Sequence, residues 1–251
     1  MNTILLLHGV MASAVNFQRN QRDLEDLGWR VVNLDLPGHG SRRPAAGSAD
    51  SVDGMALDVA ARLDDRAAHL VVGHSLGAIV GLRLARLRPD LVSAVVLEDP
   101  PGLASMDPAQ VAVEVSVAAQ RARSDPAGEI AALLRSRSSW SREAAEDAIR
   151  SRADFDASTI SWFLTTQRWD LPALVAECPG PVQLIAATEP DTALKGVDRE
   201  RVIALIPPNR VRIVKSAHSI HRDRPALWLI SVVSFGNTLG VDQARVLSPC
   251  D

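Results

Sequence analysis

The sequence contains few cysteines and no cluster of metal-binding side chains. Its two cysteines, Cys178 and Cys250, lie far apart and belong to no Cys-x-x-Cys or Cys/His motif. This spacing argues against a disulfide framework and against a structural metal site. We therefore expect a protein that folds without covalent or metal cross-links and that uses no metal and no cofactor.

An excess of basic residues and a long apolar run are both missing. The chain has 27 Lys and Arg residues against 30 Asp and Glu residues, a formal charge of −3. That balance gives no electrostatic footprint for nucleic acid or an anionic membrane. No segment has the unbroken apolar length of a spanning helix, and the N-terminus lacks the basic start of a signal peptide. These absences favour a cytoplasmic enzyme acting on a small molecule, and they leave its oligomeric state open.

What the sequence does contain is a regular alternation of short apolar runs and helical patterns. Continuous runs rich in β-branched residues are typical of strands buried on both faces, and their alternation with helices implies a parallel sheet. We predict an α/β protein with six parallel strands, at residues 4–7, 30–36, 70–72, 94–97, 182–186 and 211–214.

The strand pattern stops between residues 100 and 178, where several helix starts follow one another. The pairs Asp107-Pro108 and Asp125-Pro126 each combine a cap with a first-turn proline, and Ser141, Asp156 and Leu171-Pro172 mark further starts. The predicted organisation is a core of residues 1–99 and 179–235, a helical insertion of residues 100–178, and a C-terminal tail of residues 236–251.

The most informative stretch is Gly73-His74-Ser75-Leu76-Gly77, a G-x-S-x-G motif between an apolar run and a helical pattern. A strand that turns sharply into a helix exposes a serine hydroxyl at the edge of the sheet. Ser75 is therefore a candidate nucleophile. The backbone amides of Leu76 and Val10 are candidate donors to an oxyanion, with Met11 as the alternative to Val10.

A serine nucleophile needs a base, and His218 is the candidate. It follows the last predicted strand and precedes the helix that Pro225 opens, a position where parallel sheets place functional groups. His221 lies one helical turn further along and competes for the same role. Its place in a His-Arg-Asp-Arg-Pro run favours a supporting role that braces the loop.

The acid that would orient His218 is the most ambiguous assignment. Glu189 and Asp191 follow the fifth predicted strand, and Glu189 is slightly favoured because it lies nearer the strand end. Asp99, directly after the fourth predicted strand, is a third option.

These motifs resemble those of the α/β-hydrolase fold superfamily, in particular its esterases, lactonases and C–C hydrolases. The matching segments are Leu5-Leu6-Leu7-His8-Gly9, Leu34-Asp35-Leu36-Pro37-Gly38-His39-Gly40-Ser41, Gly73-His74-Ser75-Leu76-Gly77, and Ala217-His218 with His221-Arg222-Asp223-Arg224-Pro225. The resemblance implies strand order 4-3-5-6-7-8 in the family's labels, a helical cap, and a nucleophile, acid and histidine in that chain order. The family's usual Gly-x-x-Asp spacing fails here, because Pro190 stands at the acid position.

The expected activity is hydrolysis of a small to medium, largely apolar ester, lactone or thioester through an acyl-enzyme on Ser75. The predicted substrate pocket includes Met11, His74, Trp140, Trp162 and Trp169. Its insertion is rich in apolar residues, with no obvious cationic cluster. Two alternatives stay open: lyase, synthase or C–C hydrolase chemistry on the same residues, and a member that binds a ligand without turnover.

Overall fold

The protein is built on one parallel sheet of six strands, as the sequence predicts. The computed structural model describes residues 3–42, 50–63, 68–102 and 107–246, without the side chains of residues 159, 161, 162 and 240–246. The strands lie in the order β2-β1-β3-β4-β5-β6, the order expected from the family resemblance. Their bounds are β1 Thr3–Leu7, β2 Arg30–Leu34, β3 Leu70–His74, β4 Val95–Glu98, β5 Val182–Ala187 and β6 Val211–Val214.

Helices cover the sheet and fill the region between β4 and β5. In the described residues they are α1 Gln18–Asp26, α2 Val52–Leu63, α3 Leu76–Leu87, α4 Pro108–Ser124, α5 Pro126–Ser136, α6 Arg142–Asp154, α7 Ala157–Thr166, α8 Leu171–Ala176, α9 Gly196–Leu205, α10 Ile220–Asp223 and α11 Pro225–Val246, with short 3-10 helices at Ala14–Phe17 and Pro208–Arg210. Helices α4 to α8 occupy the predicted insertion. None of the helices in the described ranges combines the length and apolar character needed to cross a membrane.

The predicted helix starts in the insertion are confirmed by their caps. The Asp107 carboxylate accepts hydrogen bonds from the amides of Ala109 and Gln110, and Asp125 accepts one from Gly128. Ser141 caps α6 in the same way. Each cap satisfies amides that the first helical turn leaves without a partner.

Alternate residues of the central strands face two different apolar cores. In β1, Leu5 and Leu7 pack into one cluster with α2 and α3, whereas Ile4 and Leu6 pack into the other with α11. All four side chains are fully buried. This burial on both faces explains why these strands are continuous apolar runs rather than alternating patterns.

Several predicted bounds differ from the structure by one residue or more, as at the end of β3, which runs to His74 rather than residue 72. Strand β2 ends at Leu34 rather than at residue 36, because the chain leaves the sheet there. Helix α11 continues through residue 236, where a tail was predicted, and ends at Val246. Phe235 and Leu239 are buried, and Gly236 packs against Trp29, so an apolar face carries this helix onward. The rest of the predicted tail, including Cys250, lies outside the described residues.

The strand order brings two loops of the predicted site together. The chain passes from β1 to β2 on one side and returns through α2 to β3 on the other, so β1 and β3 are neighbours, with Leu7 opposite Gly73. The loops that leave these strands diverge at their carboxyl ends, which is where open parallel sheets form ligand crevices.

Candidate active site

Ser75 stands in a strained turn between β3 and α3. Its backbone has φ 53° and ψ −120°, a conformation that L-residues rarely adopt. The Ser75 amide donates to the carbonyl of Glu98 at 2.9 Å, which fixes the turn to β4. A Cβ atom at Gly77 would lie 2.1 Å from the Leu7 carbonyl oxygen, so only glycine allows the helix to start this close to β1. The predicted strand–turn–helix around Ser75 is confirmed.

The loop after β1 lies directly against Ser75. A Cβ atom at Gly9 would lie 2.9 Å from the Cβ atom of Ser75. The Ala12 amide donates to the Gly9 carbonyl at 3.2 Å and closes a turn around Val10 and Met11, whose φ is 58°. Leu76 is the first residue of α3, so no carbonyl of its own helix can accept from its amide. The predicted oxyanion donors therefore lie on the two segments that flank Ser75.

His218 forms its acid–histidine contact with Asp99. Its Nδ1 atom lies 2.6 Å from Oδ2 of Asp99, which is completely buried. The Ala193 amide donates to the same oxygen at 2.8 Å, and the Thr192 hydroxyl donates to Oδ1 at 2.5 Å. Burial alone would raise the pKa of Asp99, but the bonds from His218, Thr192 and Ala193 outweigh it and lower that pKa. Asp99 is therefore an ionised partner for the imidazole.

This contact corrects the preference for Glu189 or Asp191 as the acid. Both residues line an open groove on the surface, where Asp191 pairs with Arg137. After β5 the chain turns, and the Thr192 amide donates to the Glu189 carbonyl. That turn brings Thr192 and Ala193, rather than either carboxylate, against Asp99 and His218. The available signal was the position of Asp99 immediately after β4, the strand beside the one that carries Ser75.

A second acid–histidine pair lies next to the first. Oε1 of Glu98 lies 2.8 Å from both the amide nitrogen and Nδ1 of His221, and Oε2 accepts from Nε1 of Trp228 at 2.8 Å. Glu98 is completely buried. Burial lowers the pKa of His221 well below its usual value, so the ring is neutral and donates from Nδ1. His221 thus ties the His218 loop to β4, the bracing role that its sequence context favours.

His74 supports the His218 loop from the other side. Its Nε2–H donates to the His218 carbonyl at 3.1 Å, and the two rings lie 4.5 Å apart between centroids. Burial lowers the pKa of His74 to about 3, so the ring is neutral. His74, Glu98 and His221 also bring possible metal-ligand atoms within 4.8 Å of one another. Because Glu98 already accepts from His221 and Trp228, we assign the three residues to a hydrogen-bond network.

His8 fixes the loops that surround the site. Its Nδ1–H donates to the Gly9 carbonyl at 2.8 Å, and its Nε2 accepts from the Leu36 amide at 3.0 Å. Burial lowers its pKa to about 4. Asp35 accepts from the amides of Ala14 and Ser41 and so anchors the turn after β2.

A cavity of about 120 Å³ opens beside His218. Besides His218, four residues predicted at the site line it: Val10, Met11, His74 and Trp140. Trp169 does not; its Nε1–H donates to the Pro101 carbonyl at 2.8 Å, and its ring borders a different groove with Asp53 and Arg83. Trp169 therefore lies away from this cavity, and the side chain of Trp162 lies outside the described part of the structure. Arg152 and Arg222, which the sequence analysis did not select, also line the cavity.

Comparison with known proteins agrees with the fold and the arrangement of the loops. The sequence profile of the Alpha/beta hydrolase family matches residues 4–231. The chain belongs to this family.

Individual relatives match over shorter segments. A dihydrolipoyllysine-residue acetyltransferase component of the acetoin cleaving system from Cupriavidus necator is 40% identical over 103 residues, 40% of this chain and 27% of that protein. The lipase LipV from Mycobacterium tuberculosis is 37% identical over 99 residues, 39% of this chain and 36% of that protein. The matched segments thus span about a third of these relatives' lengths.

Among solved structures, an esterase from Thermogutta terrifontis aligns with TM-score 0.75 and 18% identity, covering 95% of this chain and 90% of that one. The enol-lactonase from Burkholderia xenovorans aligns with TM-score 0.72 and 20% identity, covering 93% and 90%. At this level of identity the likeness concerns the fold.

Proposed function

We propose that the protein is a serine hydrolase that cleaves a small to medium carboxylic ester, lactone or thioester through an acyl-enzyme on Ser75. The observation that carries this proposal is the 2.6 Å contact between Nδ1 of His218 and the buried carboxylate of Asp99. A neutral imidazole held in this way keeps its proton on Nδ1 and offers the lone pair of Nε2 to a serine hydroxyl. Ser75, Asp99 and His218 also keep the chain order nucleophile, acid, histidine.

In the first half of the proposed reaction, Ser75 Oγ attacks the substrate carbonyl while His218 Nε2 takes the hydroxyl proton. The amides of Leu76 and Val10 donate to the oxygen that becomes negative in the tetrahedral intermediate. Collapse of the intermediate breaks the bond to the leaving group, which receives the proton from His218. Asp99 stabilises the imidazolium while it exists, because the Asp99 carboxylate remains ionised.

In the second half, water replaces the leaving group. His218 removes a proton from the water, the resulting hydroxide attacks the acyl carbon, and the bond to Ser75 Oγ breaks as that oxygen regains the proton. The products are a carboxylic acid and an alcohol or thiol, or a hydroxy acid from a lactone. These steps use side chains and backbone amides of the chain itself.

The test combines covalent labelling with turnover. We expect a fluorophosphonate to label Ser75, as located by peptide mass spectrometry, and we expect p-nitrophenyl butyrate to be hydrolysed. Ser75→Ala should abolish both signals and leave the melting temperature within about 2 °C of the unmodified protein. Ser124→Ala, which changes an exposed serine at the end of α4, is the matched control and should keep both signals.

Ester hydrolysis that survives in Ser75→Ala would refute the nucleophile assignment. Labelling of Ser75 without hydrolysis of any ester, lactone or thioester in a panel would instead favour the lyase or C–C hydrolase alternative. A melting temperature raised by a small molecule that is not turned over would favour ligand binding without catalysis.

A further inference from the structure

The cavity beside His218 carries more positive charge than the insertion's apolar sequence led us to expect. Arg152, from α6 in the insertion, and Arg222, from the short helix α10 that follows His218, line it together with His218 and Val10. Two guanidinium groups on one cavity of about 120 Å³ repel each other and lose hydration. A buried arrangement of this kind is stabilised when an anion lies between the charges.

The Arg222 guanidinium is held in place without a carboxylate partner. Its central carbon lies 4.7 Å from the centroid of the Trp140 ring, so a face of the group stacks on the indole. Its Nη2 atom is enclosed and donates to no acceptor in the described residues. Stacking fixes the plane of the guanidinium at the wall of the cavity.

The carboxylates around Arg222 are engaged elsewhere. Asp223 accepts from Trp140 Nε1 at 2.6 Å through Oδ1 and from Ser216 and Ala217 through Oδ2. Glu98 is bonded to His221 and Trp228. Asp147, on α6, pairs with Arg150. The positive charge at the cavity is therefore not consumed by a direct internal ion pair of Arg222.

Other unpartnered polar atoms belong to residues on the same cavity wall. Asn16 is buried, its Oδ1 accepts from the Ser13 amide, and its Nδ2 has no acceptor among the described residues. Arg152 is half-buried in α6, and burial lowers its pKa. Buried donors without partners are rare in folded proteins and mark places where a ligand or water completes the bonding.

We propose that the substrate carries a carboxylate group, bound by Arg222 and Arg152, at one side of the bond that Ser75 cleaves. The inference rests on the proposed hydrolase function and narrows its substrate class to anionic esters. It replaces the largely apolar substrate that the sequence of the insertion led us to expect. Arg222 presents paired donors that match the two oxygens of a carboxylate. Arg152 adds charge from the insertion, so both parts of the protein contribute to recognition.

Matched substrates test the proposal. Methyl hydrogen glutarate places a carboxylate on the acyl side, butyryloxyacetate places it on the alcohol side, and methyl pentanoate and ethyl butyrate are their neutral counterparts. We expect kcat/KM for one of the two anionic esters to exceed that of its neutral counterpart at least 10-fold. Equal rates for all four esters would overturn the proposal.

Arginine variants test whether Arg222 and Arg152 cause the preference for an anionic ester. Arg222→Gln should lower kcat/KM for the preferred anionic ester about 100-fold. The fold-decrease for this ester should be at least 30 times the fold-decrease for its neutral counterpart. Arg152→Gln should give a smaller loss in the same sense, and it tests the site if Arg222→Gln fails to fold. Arg135→Gln, at an exposed position in the last turn of α5, is the control and should change neither rate. Equal losses on both esters would show a structural role and refute the proposal.

A binding experiment separates this inference from the proposed function. Titration calorimetry of glutarate with Ser75→Ala should show binding that the added Arg222→Gln change weakens at least 10-fold. If this binding is found while no ester is hydrolysed and Ser75 stays unlabelled, the hydrolase assignment fails and the anion site stands. If esters are hydrolysed without anionic preference and glutarate does not bind, the anion site fails and the hydrolase assignment stands.

Discussion

Oε1 of Glu98 and Nδ1 of His221 lie 2.8 Å apart, in a buried pair directly beside the pair formed by Asp99 and His218. Two consecutive acids at the end of β4 therefore bind two histidines after β6: Glu98 binds His221, and Asp99 binds His218. The Asp99 pair belongs to the proposed chemistry. The Glu98 pair fixes the loop through a backbone amide as well as through the ring, so it determines where His218 stands.

Asp99→Asn should lower kcat about 10³- to 10⁴-fold for any ester that the protein hydrolyses, because an amide holds the wrong tautomer of His218. Steady-state kinetics against the best substrate of the panel measure the loss. The matched control is Asp191→Asn, which removes an exposed pair with Arg137 and should leave kcat within about twofold. The reverse result, a large loss only in Asp191→Asn, would restore the acid assignment favoured from the sequence.

Glu98→Gln should destabilise the fold by about 1–3 kcal/mol, since it sets an amide N–H against a donor from His221 or Trp228 and leaves a buried donor without an acceptor. Urea unfolding measures the change. In the same variant kcat should fall more than KM rises, because the His218 loop loses its attachment to β4. Glu146→Gln, which alters an exposed pair with Arg142 on α6, should cost at most about 0.5 kcal/mol. A loss of stability below 1 kcal/mol in Glu98→Gln would contradict the bracing role.

Stability should fall steeply as the pH decreases from 6.5 towards 4. The pKa values of the buried His8, His39 and His74 are lowered by burial to about 4, 3 and 3 from 6.5. In this range the unfolded chain binds protons at the three histidines and the folded chain does not. Stability is therefore fully present above pH 6.5 and decreases by about 1.4 kcal/mol per pH unit for each histidine.

Urea unfolding at pH 8, 6 and 5 checks this dependence, and a flat profile would contradict it. His39→Asn provides an internal comparison. The new amide N–H can donate to the Pro37 carbonyl in place of Nδ1, and the slope between pH 6 and 5 should decrease by about one proton.

The six strands and the elbow at Ser75 follow from local patterns, whereas the strand order follows from the family resemblance, and the structure confirms all three. Buried strands have continuous apolar runs, and a turn flanked by Gly73 and Gly77 leaves a recognisable motif. From the sequence, Asp99 was only one of three candidates for the acid that contacts His218. The choice between them depends on how the segment after β5 folds over the sheet. Thr192 and Ala193 reach Asp99 through a turn that no residue-type pattern specifies.

The arginine-lined cavity could not be predicted from the sequence. Arg152 and Arg222 are 70 positions apart, and either one alone looks like an ordinary solvated side chain in a helical or loop segment. They come together because residues of α6 and residues that follow β6 line the same cavity. Trp169 was predicted at the substrate pocket from its place in the insertion, while in the structure its indole N–H donates to the Pro101 carbonyl and its ring borders another groove.

Trp140, in the insertion, contacts the segment that follows His218 through both the N–H and the ring face of its indole. The N–H binds Asp223, and the ring face carries Arg222. The segment between α5 and α6 cannot lift away from the sheet without breaking both contacts at once. Opening of the insertion would therefore remove the aromatic partner of Arg222 and a hydrogen bond of Asp223 in one step.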